Sequence, residues 1–124
     1  GDDFPLRAEA VQNLGLVLHE LATNSLKYGA LSVPQGKVQV RWQQDDPTDP
    51  ASLLRLTWEE FGGPPAIEPS RTGFGTTIIK RHAAAAFGGQ VDIQYRASGF
   101  LWTLIAPREA FERGPGEAVQ ELMG

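Results

Sequence analysis

The stretch Val11–Gly29, VQNLGLVLHELATNSLKYG, carries apolar residues three and four positions apart: Val11, Leu14, Val17, Leu18 and Leu21. At about 100° per residue these fall on one side of a helical wheel, so the stretch reads as an amphipathic helix packed against a core. Pro5 stands near its start and Gly29 after Tyr28 is a natural left-handed cap, which predicts a helix over residues 6–29. Pro34, Gln35 and Gly36 then make a turn.

Beyond that turn the period changes from 3.6 to two. Val38, Val40 and Trp42 alternate with Lys37, Gln39 and Arg41, and after the polar connection QQDDPTDPAS a second run alternates through Leu54, Leu56 and Trp58. The same parity puts Glu60 on the apolar face, where an acidic side chain is out of place unless it is paired or functional. From Phe61 to Gly75 the prolines and glycines of FGGPPAIEPSRTGFG exclude a regular element, so this is a loop. Thr76 opens an alanine-rich helix through Phe87, ended by Gly88 and Gly89. Strands follow at Gln90–Arg96 and Phe100–Ala106, joined by Ala97, Ser98 and Gly99. The order helix, strand, strand, loop, helix, strand, strand predicts an α+β two-layer sandwich, with helices on one face of a mixed, mostly antiparallel sheet. Residues 1–107 form the expected domain and 108–124 a C-terminal tail that is weakly helical at best.

Composition limits what such a domain does. The chain has 124 residues, enough for one domain and one core, with 41% hydrophobic and 21% charged residues, so it is neither disordered nor a coiled coil. No apolar run approaches the roughly 20 residues of a membrane-spanning helix. The acidic start at Gly1, Asp2 and Asp3 is wrong for a signal peptide, and the cytoplasm is the expected location. The absence of cysteine excludes disulfides, thiol nucleophiles and Cys-ligated zinc, and two histidines are too few for a His-built metal cage. A net charge of −4 argues against nucleic acid and against direct membrane contact, so any phosphate binding must be local.

Three places carry chemistry. Asn13, Glu20, Asn24 and Lys27 share a narrow polar stripe on the first helix, with Tyr28 on its border. A carboxylate, a carboxamide and an ammonium so aligned suit Mg²⁺ and phosphate; taken alone, the stripe reads first as a solvated Glu–Asn–Lys ladder. The run Arg71–Thr77 leads glycines into a helix, whose first amides can hold an anion; a plain glycine turn capped by Thr76 is the simpler reading of GFG by itself. Glu60, just before Gly62 and Gly63, can accept a hydrogen bond from an exocyclic amine such as that of adenine, or simply reach water at a strand edge. Trp58 continues the inward face and reads as core. His19–Glu20 is not a zinc-protease motif, because Thr23 stands where a second histidine is needed. His82 reads as a helix-surface histidine, and none of the serines, Ser25 among them, belongs to a nucleophile triad.

Taken together, HELATNSLKYGALS (19–32), WEEFGGPP (58–65) and RTGFGTTII (71–79) resemble, in order and spacing, the ATP-binding catalytic domain of bacterial sensor histidine kinases, and most of all the HWE subfamily. His19, Trp58 and Glu60 match the three residues that name that subfamily. Its first glycine box reads E-x-G-G here, the subfamily's own pattern, where most histidine kinases have D-x-G-x-G.

The resemblance implies a Bergerat ATP-binding fold. By it, Asn24 coordinates a Mg²⁺ that bridges the phosphates, Lys27 touches a phosphate, Tyr28 borders the base and Glu60 accepts the adenine amine. Gly73 and Gly75 pass under the phosphates, and Gly62, Phe74 and Thr76 complete the nucleotide-contacting set. Glu20 orients, or takes the proton of, the substrate imidazole. ATP and Mg²⁺ are then the expected cofactors. The expected partners are a phosphoacceptor histidine on a helical hairpin domain of the same kinase and a downstream response regulator. With His19 and His82 both inside the catalytic domain, the acceptor histidine belongs elsewhere, and the chain reads as an excised domain of a larger kinase. Two alternatives stand beside this: a nucleotide-binding or protein-docking module without turnover, and an ATPase or serine kinase of the anti-sigma type.

Overall fold

The computed structural model describes residues 6–46, 48–49, 51–68 and 74–111. Helix α1 spans Ala8–Tyr28 and is followed by a 3-10 turn at Ala30–Ser32. Strands β1 (Lys37–Gln44) and β2 (Leu53–Phe61) form the first hairpin. A second helical segment starts as α2 (Phe74–Thr77), passes through a π-helical turn (Ile78–His82) and continues as α3 (Ala83–Phe87). Strands β3 (Gln90–Arg96) and β4 (Gly99–Pro107) complete a sheet of order β1-β2-β4-β3. All three ladders are antiparallel, so the sandwich is α+β as expected, and no described strand is parallel to its neighbour.

The register lines up the inward side chains. Val40, Trp58, Trp102 and Ile93 form one row across the sheet, and Trp42, Leu56, Leu104 and Val91 the next. Against this face pack Ala10, Leu14, Val17 and Leu21 of α1, together with Ile78, Ile79, Ala83 and Phe87 of the second helical segment, all buried. Two residues of the expected apolar faces are instead exposed. Val11 is 53% accessible and Val40 is 45% accessible. Val40 lies on β1, the edge strand, where the cover of the helices ends, and Val11 sits on the rim of the α1 stripe, whose centre at Ala10, Leu14, Val17 and Leu21 takes the sheet.

Four local features depart from the sequence reading. Gly29 is extended (φ −116°, ψ −151°) rather than left-handed, and glycine is required there because a Cβ would overlap the Glu60 carboxylate. Gly88, by contrast, is left-handed as expected (φ 60°, ψ 37°). The second helical segment begins at Phe74, so Thr76 lies within it rather than capping it, and the segment is not α-helical throughout. Its π turn packs on the sheet through the Trp102 indole N–H, which donates to the Ile79 carbonyl at 2.6 Å. Finally, the chain beyond residue 107 enters a 3-10 turn at Arg108–Ala110 and delivers Phe111 into the core, fully buried.

The loop between β2 and α2 is described as far as Glu68; residues 69–73, including Gly73, lie outside the described residues. Its first half is tied down where the Ala66 N–H donates to the Arg96 carbonyl at 2.9 Å. No described helix is long and apolar enough to cross a membrane.

Candidate functional site

The site grows from the point where α1 ends against β2. Strand alternation turns Glu60 inward beside Leu54, Leu56 and Trp58, and the side chain is 3% exposed. Its carboxylate is not idle. Oε1 accepts the Ala30 N–H at 2.8 Å and Oε2 accepts the Trp58 indole N–H at 2.9 Å. Two of the roughly four lone-pair sites of a carboxylate are thereby used, and no described cation neutralises it. Both bonds compensate the desolvation of the charge, which would otherwise be expensive to bury.

The segment that follows α1 and the first glycine pair are pressed together near this carboxylate. Gly62 has φ +73°, and a Cβ there would come within 2.7 Å of the Gln35 carbonyl oxygen. At Gly63 a Cβ would come within 2.5 Å of the Ala30 Cα. Only residues without a side chain let the two backbones approach this closely, the physical reason for a glycine pair two residues after Glu60. The turn after α1 is held from below by Ser25, 1% exposed, whose hydroxyl oxygen accepts the Leu31 N–H at 3.1 Å. Ser25 is therefore a structural cap, a role its sequence context did not announce.

The polar stripe of α1 is organised differently from a solvated ladder. Glu20 and Asn24 are half-buried and Lys27 is exposed, and among the described residues no side-chain hydrogen bond or ion pair joins or occupies them. Tyr28 is 75% exposed at the same helix end. Three polar side chains that could have satisfied one another thus face solvent separately. Asn13, at the other end of the stripe, instead meets His82 Nε2 through its Oδ1 at 3.1 Å. His82 is half-buried between the two helical segments and is not the plain surface residue its sequence suggested. His19 projects into solvent, and its backbone carbonyl accepts the Thr23 hydroxyl at 2.8 Å.

The second half of the expected site is placed by backbone. Phe74 and Gly75 occupy the first turn of α2 and Thr76 follows, half-buried. Near the loop, Tyr95 packs on Phe100 with ring centroids 5.4 Å apart. Its phenol is held above the usual tyrosine value, first by burial and second by the negative charge of Glu68 in the loop.

Sequence reasoning missed the Trp58–Glu60 bond. Its signal was present, since residues two apart on a strand share a face. It also missed Glu59, which on the opposite face bridges Arg41 and Arg96 at 3.0 Å each and ties the end of β3 to β1.

No family model matches the chain. Curated proteins do. The blue-light-activated histidine kinase of Brucella ovis is 36% identical over 95 residues, covering 76% of this chain and 19% of that protein. Blue-light-activated histidine kinase 1 of Erythrobacter litoralis is 37% identical over 111 residues, covering 86% of this chain and 29% of that protein. The chain belongs to the histidine kinase catalytic domains of the HWE type.

Solved structures agree on the fold. The histidine kinase domain from Erythrobacter litoralis EL346 matches with a TM-score of 0.63 at 23% identity, over 82% of this chain and 48% of that one. The kinase catalytic domain in hand spans only 19% and 29% of the length of these two curated relatives.

The donor chemistry of this domain can be set against Mg²⁺-ATP. Mg²⁺ prefers hard oxygens and usually keeps several waters beside one or two protein ligands and the phosphates. The free Asn24 carboxamide suits that role. Among the described residues no cluster of three acidic or histidine side chains could hold a metal ion.

Proposed function

We propose that this domain binds Mg²⁺-ATP and donates the γ-phosphoryl group to a histidine on a separate helical hairpin domain. The observation that carries the reading is the buried Glu60, held against the turn that follows α1, while α1 itself carries Glu20, Asn24 and Lys27 without a partner among the described residues. A buried carboxylate with lone pairs to spare supports the reading, because burying such a group is costly unless it has a role.

In this reading Glu60 accepts the adenine amine with its unused lone pairs, Tyr28 borders the base and Lys27 neutralises phosphate charge. Asn24 supplies an oxygen to Mg²⁺, and Gly62, Gly73, Phe74, Gly75 and Thr76 let the backbone approach the nucleotide. The imidazole nitrogen of the acceptor attacks the γ-phosphorus, the bond from that phosphorus to the bridging oxygen breaks, and ADP leaves with the electron pair. The imidazole proton passes to the Glu20 carboxylate. Catalysis is then mostly positioning and charge stabilisation, because a loose phosphoryl-transfer transition state asks little covalent chemistry of the protein. A response regulator would take the phosphoryl group in turn.

Titration of the domain with ATP, with and without Mg²⁺, followed by addition of a histidine-bearing hairpin domain, tests the reading. Binding that needs Mg²⁺ and label that moves to the hairpin support it. Binding without transfer would favour a docking module.

A further inference from the structure

Trp58 does more than fill the core. Its indole N–H donates to Glu60 Oε2 at 2.9 Å while the Ala30 N–H donates to Oε1 at 2.8 Å, so the carboxylate is gripped at both oxygens by groups that belong to different elements. The Trp58 ring is itself fixed: it is 6% exposed and lies in the inward row between Val40 and Trp102. Ala30 is 2% exposed and is pressed by Gly36 and Gly63. A carboxylate held at one oxygen can swing about its last side-chain torsion, which is broad and nearly two-fold. One held at both oxygens by rigid donors cannot.

We propose that Trp58 is a positioning residue for nucleotide selection, fixing the plane of the Glu60 carboxylate so that its remaining lone pairs meet the exocyclic amine of adenine. This rests on the reading of Glu60 as the adenine acceptor. It gives a physical reason for a tryptophan two residues before the glutamate: the two side chains share a strand face, and among large apolar side chains only tryptophan carries an N–H. A phenylalanine would fill much of the same space and leave one carboxylate oxygen without its donor. The selectivity of the site then depends on a residue that need not touch the nucleotide.

The test compares ATP with purine riboside triphosphate, which lacks the exocyclic amine, by calorimetry on three proteins. These are the parent, Trp58→Phe, and a protein in which Trp58 is replaced by its benzothiophene analogue, with sulfur in place of the indole N–H and the shape retained. The parent should prefer ATP by about tenfold or more, the worth of a charge-assisted hydrogen bond. Both variants should lose most of that preference while binding purine riboside triphosphate within about twofold of the parent. Should Trp58→Phe fold poorly, the benzothiophene protein decides. A variant that keeps the full preference overturns the positioning role and leaves the Glu60 reading intact, whereas a parent with no preference overturns the Glu60 reading itself and the positioning role with it.

Discussion

Phe111 lies flat against Phe87, with ring centroids 4.7 Å apart and planes inclined by 13°. The edge of Trp42 meets the same Phe111 ring at 5.8 Å, so one residue of the C-terminal segment closes the core between β1 and α3. Phe111→Ala should therefore destabilise the domain by about 3–5 kcal/mol, as loss of a fully buried aromatic does. Truncation after residue 107 should do at least as much harm. Urea unfolding of both variants checks this, and a midpoint shift worth less than about 1 kcal/mol would show that the ring contributes little.

Gly15 offers a change of opposite sign. It sits inside α1 on the exposed side, and a Cβ there would meet nothing within 4 Å. Gly15→Ala should stabilise the domain by about 0.5–1 kcal/mol, by removing backbone freedom from the unfolded chain and adding a better helix former. A lower melting temperature for the variant would mean that this face of α1 is not open.

Glu60 should matter for folding as well as for nucleotide. Glu60→Ala strands the Ala30 and Trp58 N–H donors in a buried place, at about 1–3 kcal/mol each. Glu60→Gln keeps the size but turns an NH₂ toward one of two donors, so it should also destabilise rather than pass as neutral. Equilibrium unfolding without nucleotide isolates this effect, and a glutamine variant as stable as the parent would contradict the double grip.

The Tyr95 phenol gives a pH signature. Its folded value is raised, so the proton is held more tightly in the folded state, and the associated stability is present below the unfolded value near 10.0 and lost as pH rises through the folded one. Phenolate absorbance of the native domain should therefore rise at higher pH than that of the unfolded chain. Glu68→Gln should bring it part of the way back, since burial is the larger cause.

Much of this was legible in the sequence because local periods carried it. The 3.6 period of Leu14, Val17 and Leu21 gave α1, and strict alternation to Trp58 put Glu60 on the buried face. What stayed hidden depended on tertiary contact. Nothing local marks Phe111 as core, because one aromatic in a polar segment has no period. Nothing in GTTIIKRHAAAAF marks a π turn, which is set by how the helical segment meets Trp102. Gly29 reads from sequence as a left-handed cap, but its backbone is extended and its space is taken by Glu60, thirty-one residues away along the chain and adjacent in the fold. Of the expected nucleotide set, Glu60 is brought against Gly29 at the end of α1 and Gly62 against the turn at Gln35 and Gly36, while Gly73 lies outside the described residues.

Phosphoryl transfer from labelled ATP to a histidine-bearing hairpin domain, run with the parent and with Asn24→Ala, bears most directly on the central claim. The parent should leave acid-labile label on the hairpin histidine and none on its own chain. The variant should lose transfer by more than it loses nucleotide affinity, since in the proposed function Asn24 acts through Mg²⁺ on the reacting phosphate. Release of free phosphate without labelled histidine, label retained on His19 or His82, or equal transfer by the two proteins would contradict the account.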